Sequence, residues 1–319
     1  MNETQSNLNL AAVLRLSAFS LMGITACATA DCTIESNIRL QVLGSGGPEI
    51  TDQRASSGYL IWRGDKAVVM VDAGSGTAFN FEKSGANITD LQAVLFTHFH
   101  VDHSVDFPTL IKASYFTDRK EDLRVLGPAG NARMPSATAY VESALGEQGS
   151  YRYLSNYVSE DGSAPYKVRV TDVPLSPRKK NTYMLDSGIQ LSAVPVEHGP
   201  LPAVAWRVEM DGCSISFSGD MNNRYGTLAR LAESSDLLVA NNVIPQEASG
   251  AARFLHMPPS EIGLIASQAE VKQLVLSHRM QRTLGREMET VLEIRKLYSG
   301  PVYFANDLDQ YESHHADEP

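Results

Sequence analysis

Thr97-His98-Phe99-His100-Val101-Asp102-His103 is the stretch that decides how this chain is read. It follows directly on the β-rich run Ala93–Phe96, and a chain leaving a strand keeps residues i and i+2 on one face. His98 and His100 can therefore point at one ion, while the turn into a helix brings Asp102 and His103 to a second ion beside it. A single histidine usually has a plain structural explanation. Four ligand-type side chains within six residues, placed at a strand end, do not.

Outward from this block the same context recurs. His198 follows the apolar run Leu191–Val196, Asp220 follows Ile215–Ser218, and His278 follows Gln273–Leu276. Sites in α/β sheets gather at strand ends, so these residues are expected to converge. His314 and His315 fall in a polar tail, 311–319, and are read as solvated.

Short apolar runs and turn signals place strands at Ile38–Leu43, Tyr59–Trp62, Ala67–Val71, Ala93–Thr97, Ile189–Val196, Val204–Met210, Ser214–Ser218, Asp236–Ala240 and Gln273–Ser277. Gly64-Asp65 reads as the turn of a hairpin. Helical spacing covers Asp102–Lys112, Thr227–Ser234 and Pro259–Ala269. Strands followed by helices in both halves predict an α/β fold of two packed mixed β-sheets with helices outside, spanning 38–310. The segment 115–168, rich in tyrosine and glycine, fits this rhythm badly and reads as an insertion or lid, or else as a long connection.

The 319 residues are 43% hydrophobic and 20% charged, which excludes a disordered or collagen-like chain. Lys plus Arg is 27 and Asp plus Glu is 37, so the formal charge is 27 − 37 = −10. An acidic chain argues against extended binding along a nucleic-acid backbone. At the N-terminus, Leu10–Ala26 is apolar with Arg15 ahead of its core, and residues 1–26 read as an export signal. Ile24-Thr25-Ala26-Cys27 has the form of a lipobox, which would make Cys27 a lipid anchor in the periplasm or at the outer membrane. Ala28-Thr29-Ala30 offers a competing cleavage site, and a cytoplasmic chain with an N-terminal extension is the alternative. Residues 27–37 read as a linker. Of the three cysteines, Cys32 and Cys213 are left either as a pair or with Cys213 as a free buried thiol.

The His-x-His-x-Asp-His block, with His198, Asp220 and His278 in order behind it, resembles the metallo-β-lactamase superfamily. Leu43-Gly44-Ser45-Gly46-Gly47-Pro48 with Arg54 and Ser57, and His256-Met257-Pro258-Pro259-Ser260-Glu261, resemble its ribonuclease Z and arylsulfatase-like branch. The resemblance implies an αββα sandwich with two metal ions. One would take His98, His100 and His198, the other Asp102, His103 and His278, with Asp220 bridging. Imidazoles and carboxylates without thiolates suit Zn²⁺, and the set also accepts Mn²⁺ or Fe²⁺. Asp102 and Asp220 would carry the catalytic centre, and a water between the ions would be the nucleophile. Asp72 matches the family's first motif, as an orienter of a ligand imidazole or as a plain turn residue. Glu197 and Ser218 read as structural. His256 matches a position that contacts the scissile group in the branch. Relatives often place His-Glu after the strand corresponding to Asp236–Val239, whereas this chain has Ala240-Asn241-Asn242, so His256 is expected to hydrogen-bond the substrate anion rather than act as a strong acid.

The function expected from this reading is hydrolysis of a small anionic ester by an arylsulfatase-like, dinuclear zinc enzyme, with Tyr151, Tyr153 and Tyr157 available to stack an aromatic leaving group. A phosphodiesterase is the alternative. Behind it stand a ribonuclease Z-type endonuclease, disfavoured by the acidic charge and the short stretch 199–219 where such enzymes commonly carry an RNA-gripping arm, and a non-catalytic metal-binding protein. A homodimer is an expectation of the resemblance only.

Overall fold

The computed structural model describes residues 31–313. The first half runs β1 (Ile38–Gly44), β2 (Gly58–Arg63), β3 (Lys66–Ala73), α1 (Thr77–Lys83), β4 (Ala93–Leu95), α2 (Val101–Ser104), α3 (Phe107–Ser114), β5 (Leu123–Pro128), α4 (Ala137–Leu145) and β6 (Val168–Val173). The second half runs β7 (Asn181–Met184), β8 (Gln190–His198), β9 (Leu201–Met210), β10 (Cys213–Phe217), α5 (Leu228–Leu231), β11 (Leu237–Asn241), α6 (Gly250–Leu255), α7 (Pro259–Gln268), β12 (Gln273–Ser277), α8 (Glu287–Ile294), β13 (Val302–Phe304) and β14 (Gln310–Glu312).

Two sheets result, ordered β14-β1-β2-β3-β4-β5-β6 and β13-β12-β11-β10-β9-β8-β7. In the first, β14 to β3 pair antiparallel and β3 to β6 parallel. In the second, β13 to β10 pair parallel and β10 to β7 antiparallel. The inner parallel strands β4, β11 and β12 are apolar on both faces because each lies between the opposite sheet and a helix. One buried cluster, including Leu40, Ile61, Val69, Trp206, Ile215 and Val275, fills the space between the sheets. A second packs helices on the first sheet, and a third packs helices on the second. These three apolar layers make an αββα sandwich, as the sequence predicts.

Hairpins form where the turn chemistry allows. Arg63 pairs with Lys66 across Gly64-Asp65, and Gly64 takes φ 62°. His198 pairs with Leu201 across Gly199-Pro200, with Gly199 at φ 58°. Left-handed backbone at such positions costs glycine little and matches the twist of the paired strands.

Three expectations change. The helix expected over Asp102–Lys112 is two helices, because Pro108 lacks an N–H and starts a new one; Asp106 at the junction accepts Ala78 N–H at 2.9 Å. The segment 115–168 holds regular structure. It contains β5, hydrogen-bonded between β4 and β6, and its Tyr157 and Tyr166 are buried with ring centroids 5.0 Å apart. Only Tyr151 and Tyr153 of the three candidate stacking residues are exposed. The polar tail begins inside a strand, since Gln310–Glu312 pair with β1. In the linker, Cys32 is disulfide-bonded to Cys213 at the start of β10, which resolves the open choice between pair and free thiol. The expected signal segment, Cys27, His314 and His315 lie outside the described residues. Among the described residues no helix is long and apolar enough to cross a membrane.

Candidate metal centre

Both sheets deliver side chains to one end of the sandwich. His98 and His100 leave β4, Asp102 and His103 sit on α2, His198 ends β8, Asp220 follows β10, and His278 follows β12. The structure gathers all seven in two adjoining groups, His98–His100–His198–Asp220 and Asp102–His103–His278, with the donor atoms within each group no more than 4.8 Å apart. Asp220 faces both: its Oδ2 lies 3.7 Å from His198 Nε2 and 3.9 Å from His103 Nε2, and its Oδ1 lies 3.4 Å from His278 Nε2. All are buried except the half-buried His100, which marks the open side.

Hydrogen bonds fix which nitrogen of His98, His103 and His198 is free. Thr97 Oγ1 donates its one hydrogen to Asp72 Oδ2 at 2.8 Å, so toward His98 Nδ1, 3.1 Å away, it acts as acceptor. Asp72 Oδ2 accepts from His103 Nδ1 at 2.8 Å, and the Leu255 carbonyl accepts from His198 Nδ1 at 3.1 Å. Each bond leaves an Nε2 lone pair aimed at the centre. The Nε2 atoms of His98 and His198 are buried without a hydrogen-bond partner among the described residues. Orphaned imidazole nitrogens packed around buried carboxylates are unfavourable alone and are what a divalent cation requires. The residues present fit a metal pair.

Backbone shape aims the ends of the cluster. Asp72 and His278 take φ 57° and 51°, left-handed values that turn them out of β3 and β12 into the site. Asp72 also accepts Thr97 N–H at 2.8 Å, so it orients the site as well as ending a strand. Two glycines permit the close packing. A Cβ on Gly47 would sit 2.6 Å from His278 Cε1, and one on Gly74 would sit 2.1 Å from the Asp102 carbonyl oxygen.

Without cations, the charges of the cluster answer one another. Burial works against a charge on His103, but Asp72, Asp102 and Asp220 around it raise its pKa to about 10. Burial raises Asp102, and His103 and His278 overcome this to bring it to about 2. Burial and the neighbouring His103 keep His98 well below the ordinary histidine value, and burial lowers His100.

His256 precedes α7 and enters the centre from the second sheet, its Nδ1 3.9 Å from Asp220 Oδ2, buried and unpartnered. Burial lowers its pKa to about 4; the Asp220 carboxylate pulls the other way, and His278, His198 and Arg282 add to the fall. No carboxylate hydrogen bond raises it, in line with the sequence. Ser218 and Glu197 are structural: Ser218 Oγ accepts Asn241 N–H at 3.1 Å, and Glu197 pairs with Arg224 at 3.0 Å. Sequence reasoning missed the contact of Asn241 Nδ2 with Asp220 Oδ1, at 2.7 Å, because nothing local in the chain signals it.

Residues 68–279 match the family described as the beta-lactamase superfamily domain. This chain belongs to that superfamily. It is 30% identical over 301 residues to a protein named Ribonuclease Z from Thermobifida fusca, a match covering 86% of this chain and 94% of the relative. Of solved structures, human tRNase Z, short form, superposes with TM-score 0.66 at 17% identity over 87% of this chain and 100% of the other. The metallo-beta-lactamase fold protein YhfI from Bacillus subtilis superposes with TM-score 0.64 at 20% identity over 86% and 98%. These two establish the fold. With the Ribonuclease Z relative, the match places the chain on the ribonuclease Z branch of the β-lactamase superfamily, as a metal-dependent hydrolase of ester bonds.

The relatives overturn the arylsulfatase expectation and, with it, the small-ester substrate and the exclusion of nucleic acid. A Ribonuclease Z is matched over 94% of its length by a chain whose 199–219 is only a turn and the strands β9 and β10, so a missing arm there does not separate the classes. Net charge fails likewise, because it averages the whole surface and says little about the few cations facing a cleft.

Proposed function

We propose that this chain cleaves phosphodiester bonds in RNA, in the manner of the Ribonuclease Z proteins it resembles. The observation that carries the reading is the end-to-end match to such relatives by a chain with a complete cluster of seven metal-ligating side chains. His98, His100 and His198 would hold one ion and Asp102, His103 and His278 the other, with Asp220 between them; the donor set suits Zn²⁺. A bound pair would supply Lewis acidity toward a phosphoryl oxygen and a water acidified to about neutral pH. The protein's own part follows from its hydrogen bonds. Asp72 holds the His103 Nδ1 proton, Thr97 and the Leu255 carbonyl hold His98 and His198 in register, and neutral His256, in the tautomer with its unpartnered Nδ1 protonated, would donate to a substrate oxygen. Half-buried His100 leaves the approach open.

The test is cleavage of an end-labelled RNA bearing a 3′ trailer by metal-loaded chain, with His98→Ala as blank. Endonucleolytic product from wild type alone supports the reading. Turnover of bis(4-nitrophenyl) phosphate with intact RNA would sink the RNA assignment and leave a small phosphodiester as substrate.

Export belongs to the same proposal. The apolar Leu10–Ala26 supports it, and so does the Cys32–Cys213 bond, since disulfides persist in oxidising compartments and are rare in the cytosol. Fractionation of cells making the chain, blotted for the protein, tests this; protein confined to the cytosol with both thiols free is the contrary result.

A further inference from the structure

Asn241 ends β11 facing the metal centre yet belongs to neither ligand group. It is 5% exposed, and its Nδ2 donates to Asp220 Oδ1 at 2.7 Å. Its backbone N–H is held by Ser218 Oγ, two residues before Asp220, so donor and acceptor are tied to the same pair of neighbouring parallel strands. The oxygen it engages is the one 3.4 Å from His278 Nε2. The other, Oδ2, faces His198, His103 and His256.

An amide N–H fixed on one carboxylate oxygen occupies a lone pair and draws electron density from that oxygen. The two oxygens of Asp220 are thereby unequal donors. A glutamate at this place could not give that hydrogen and would add a negative charge beside Asp220. We propose that Asn241 is a positioning residue that makes the centre asymmetric. Asp220 meets His278 of the Asp102–His103–His278 group through its hydrogen-bonded oxygen, while the oxygen nearest His198 of the other group, which also lies 3.9 Å from His103, is unencumbered, so the first ion, held by His98, His100 and His198, binds more tightly than the second. This rests on the two-ion reading above.

The test is calorimetric titration of the full chain, stripped by chelator, with Zn²⁺ alone, together with metal counted per chain after desalting. Wild type gives two binding events separated by about tenfold or more, the scale of a hydrogen bond to a charged group. In Asn241→Leu, of similar volume without the donor, the second ion tightens and the gap narrows about tenfold. Asn241→Ala does the same without the bulk, which separates the hydrogen bond from packing. Two ions of equal affinity in wild type, or a gap unchanged or widened in the variants, overturns the proposal. A wild type that takes up a single ion overturns the two-ion reading itself, a different result from two ions with an unaltered gap.

Discussion

Asp72 gives both carboxylate oxygens to three donors: Thr97 N–H, Thr97 Oγ1 and His103 Nδ1. Asp72→Asn keeps the shape but replaces an acceptor with an amide that cannot hold the His103 proton. We expect metal affinity to fall about 10- to 100-fold, read by titration, with the fold retained. His256 supplies a pH prediction. Its folded pKa of about 4 lies below the unfolded value, so between those limits the unfolded chain binds the extra proton and stability falls as pH falls. His256→Asn removes that titration. Urea unfolding of metal-free protein at pH 7 and pH 5 should show the variant losing less than wild type, by on the order of 1–2 kcal/mol. The ligand residues themselves were legible in the sequence because they lie in one short block and at strand ends. Asp72 as an orienter of an imidazole came from its motif match, whereas the Asn241–Asp220 bond spans 21 positions and no periodicity encodes such a pairing.

Elements hold these residues through close approaches between neighbouring backbones. Gly74, just past β3, packs against the Asp102 carbonyl on α2, and both partners are main chain, so neither can rotate away. Gly74→Ala should lose about 3 kcal/mol or more in urea unfolding and displace Asp102 and His103 together, seen as lost metal uptake. Strands such as Gln273–Ser277 and Ile38–Leu43 were readable because they are continuous apolar runs between turn residues. β6 and β7 escaped because each carries partly exposed polar residues and neither has a continuous apolar run. β5, whose Leu123, Val125 and Leu126 are buried, was obscured by the tyrosines that follow it. In the Asp102–Lys112 stretch the apolar spacing was read correctly, and the break set by Pro108 was not.

Across the molecule, the Cys32–Cys213 bond joins positions 181 apart and anchors the N-terminal segment to the strand leading to Asp220. Cys32→Ser should lower stability by about 2–5 kcal/mol, read as a lower melting temperature, while metal stoichiometry stays at the wild-type value. The substrate class was the least legible property. The ligand set is shared by hydrolases of different esters, so the RNA proposed above rests on similarity along the chain rather than on any residue. The last two strands carry one more consequence. β13 edges one sheet and β14 edges the other, and Asp307 between them binds Ser45 and Ala55 beside the first strand. Removing both strands would make β12 and β1, largely apolar and buried along nearly their whole length, the new edges of the two sheets, the kind of edge through which strands join other molecules. Truncation before β13 is therefore expected to give an aggregating chain rather than a slightly smaller enzyme, read as loss of soluble protein.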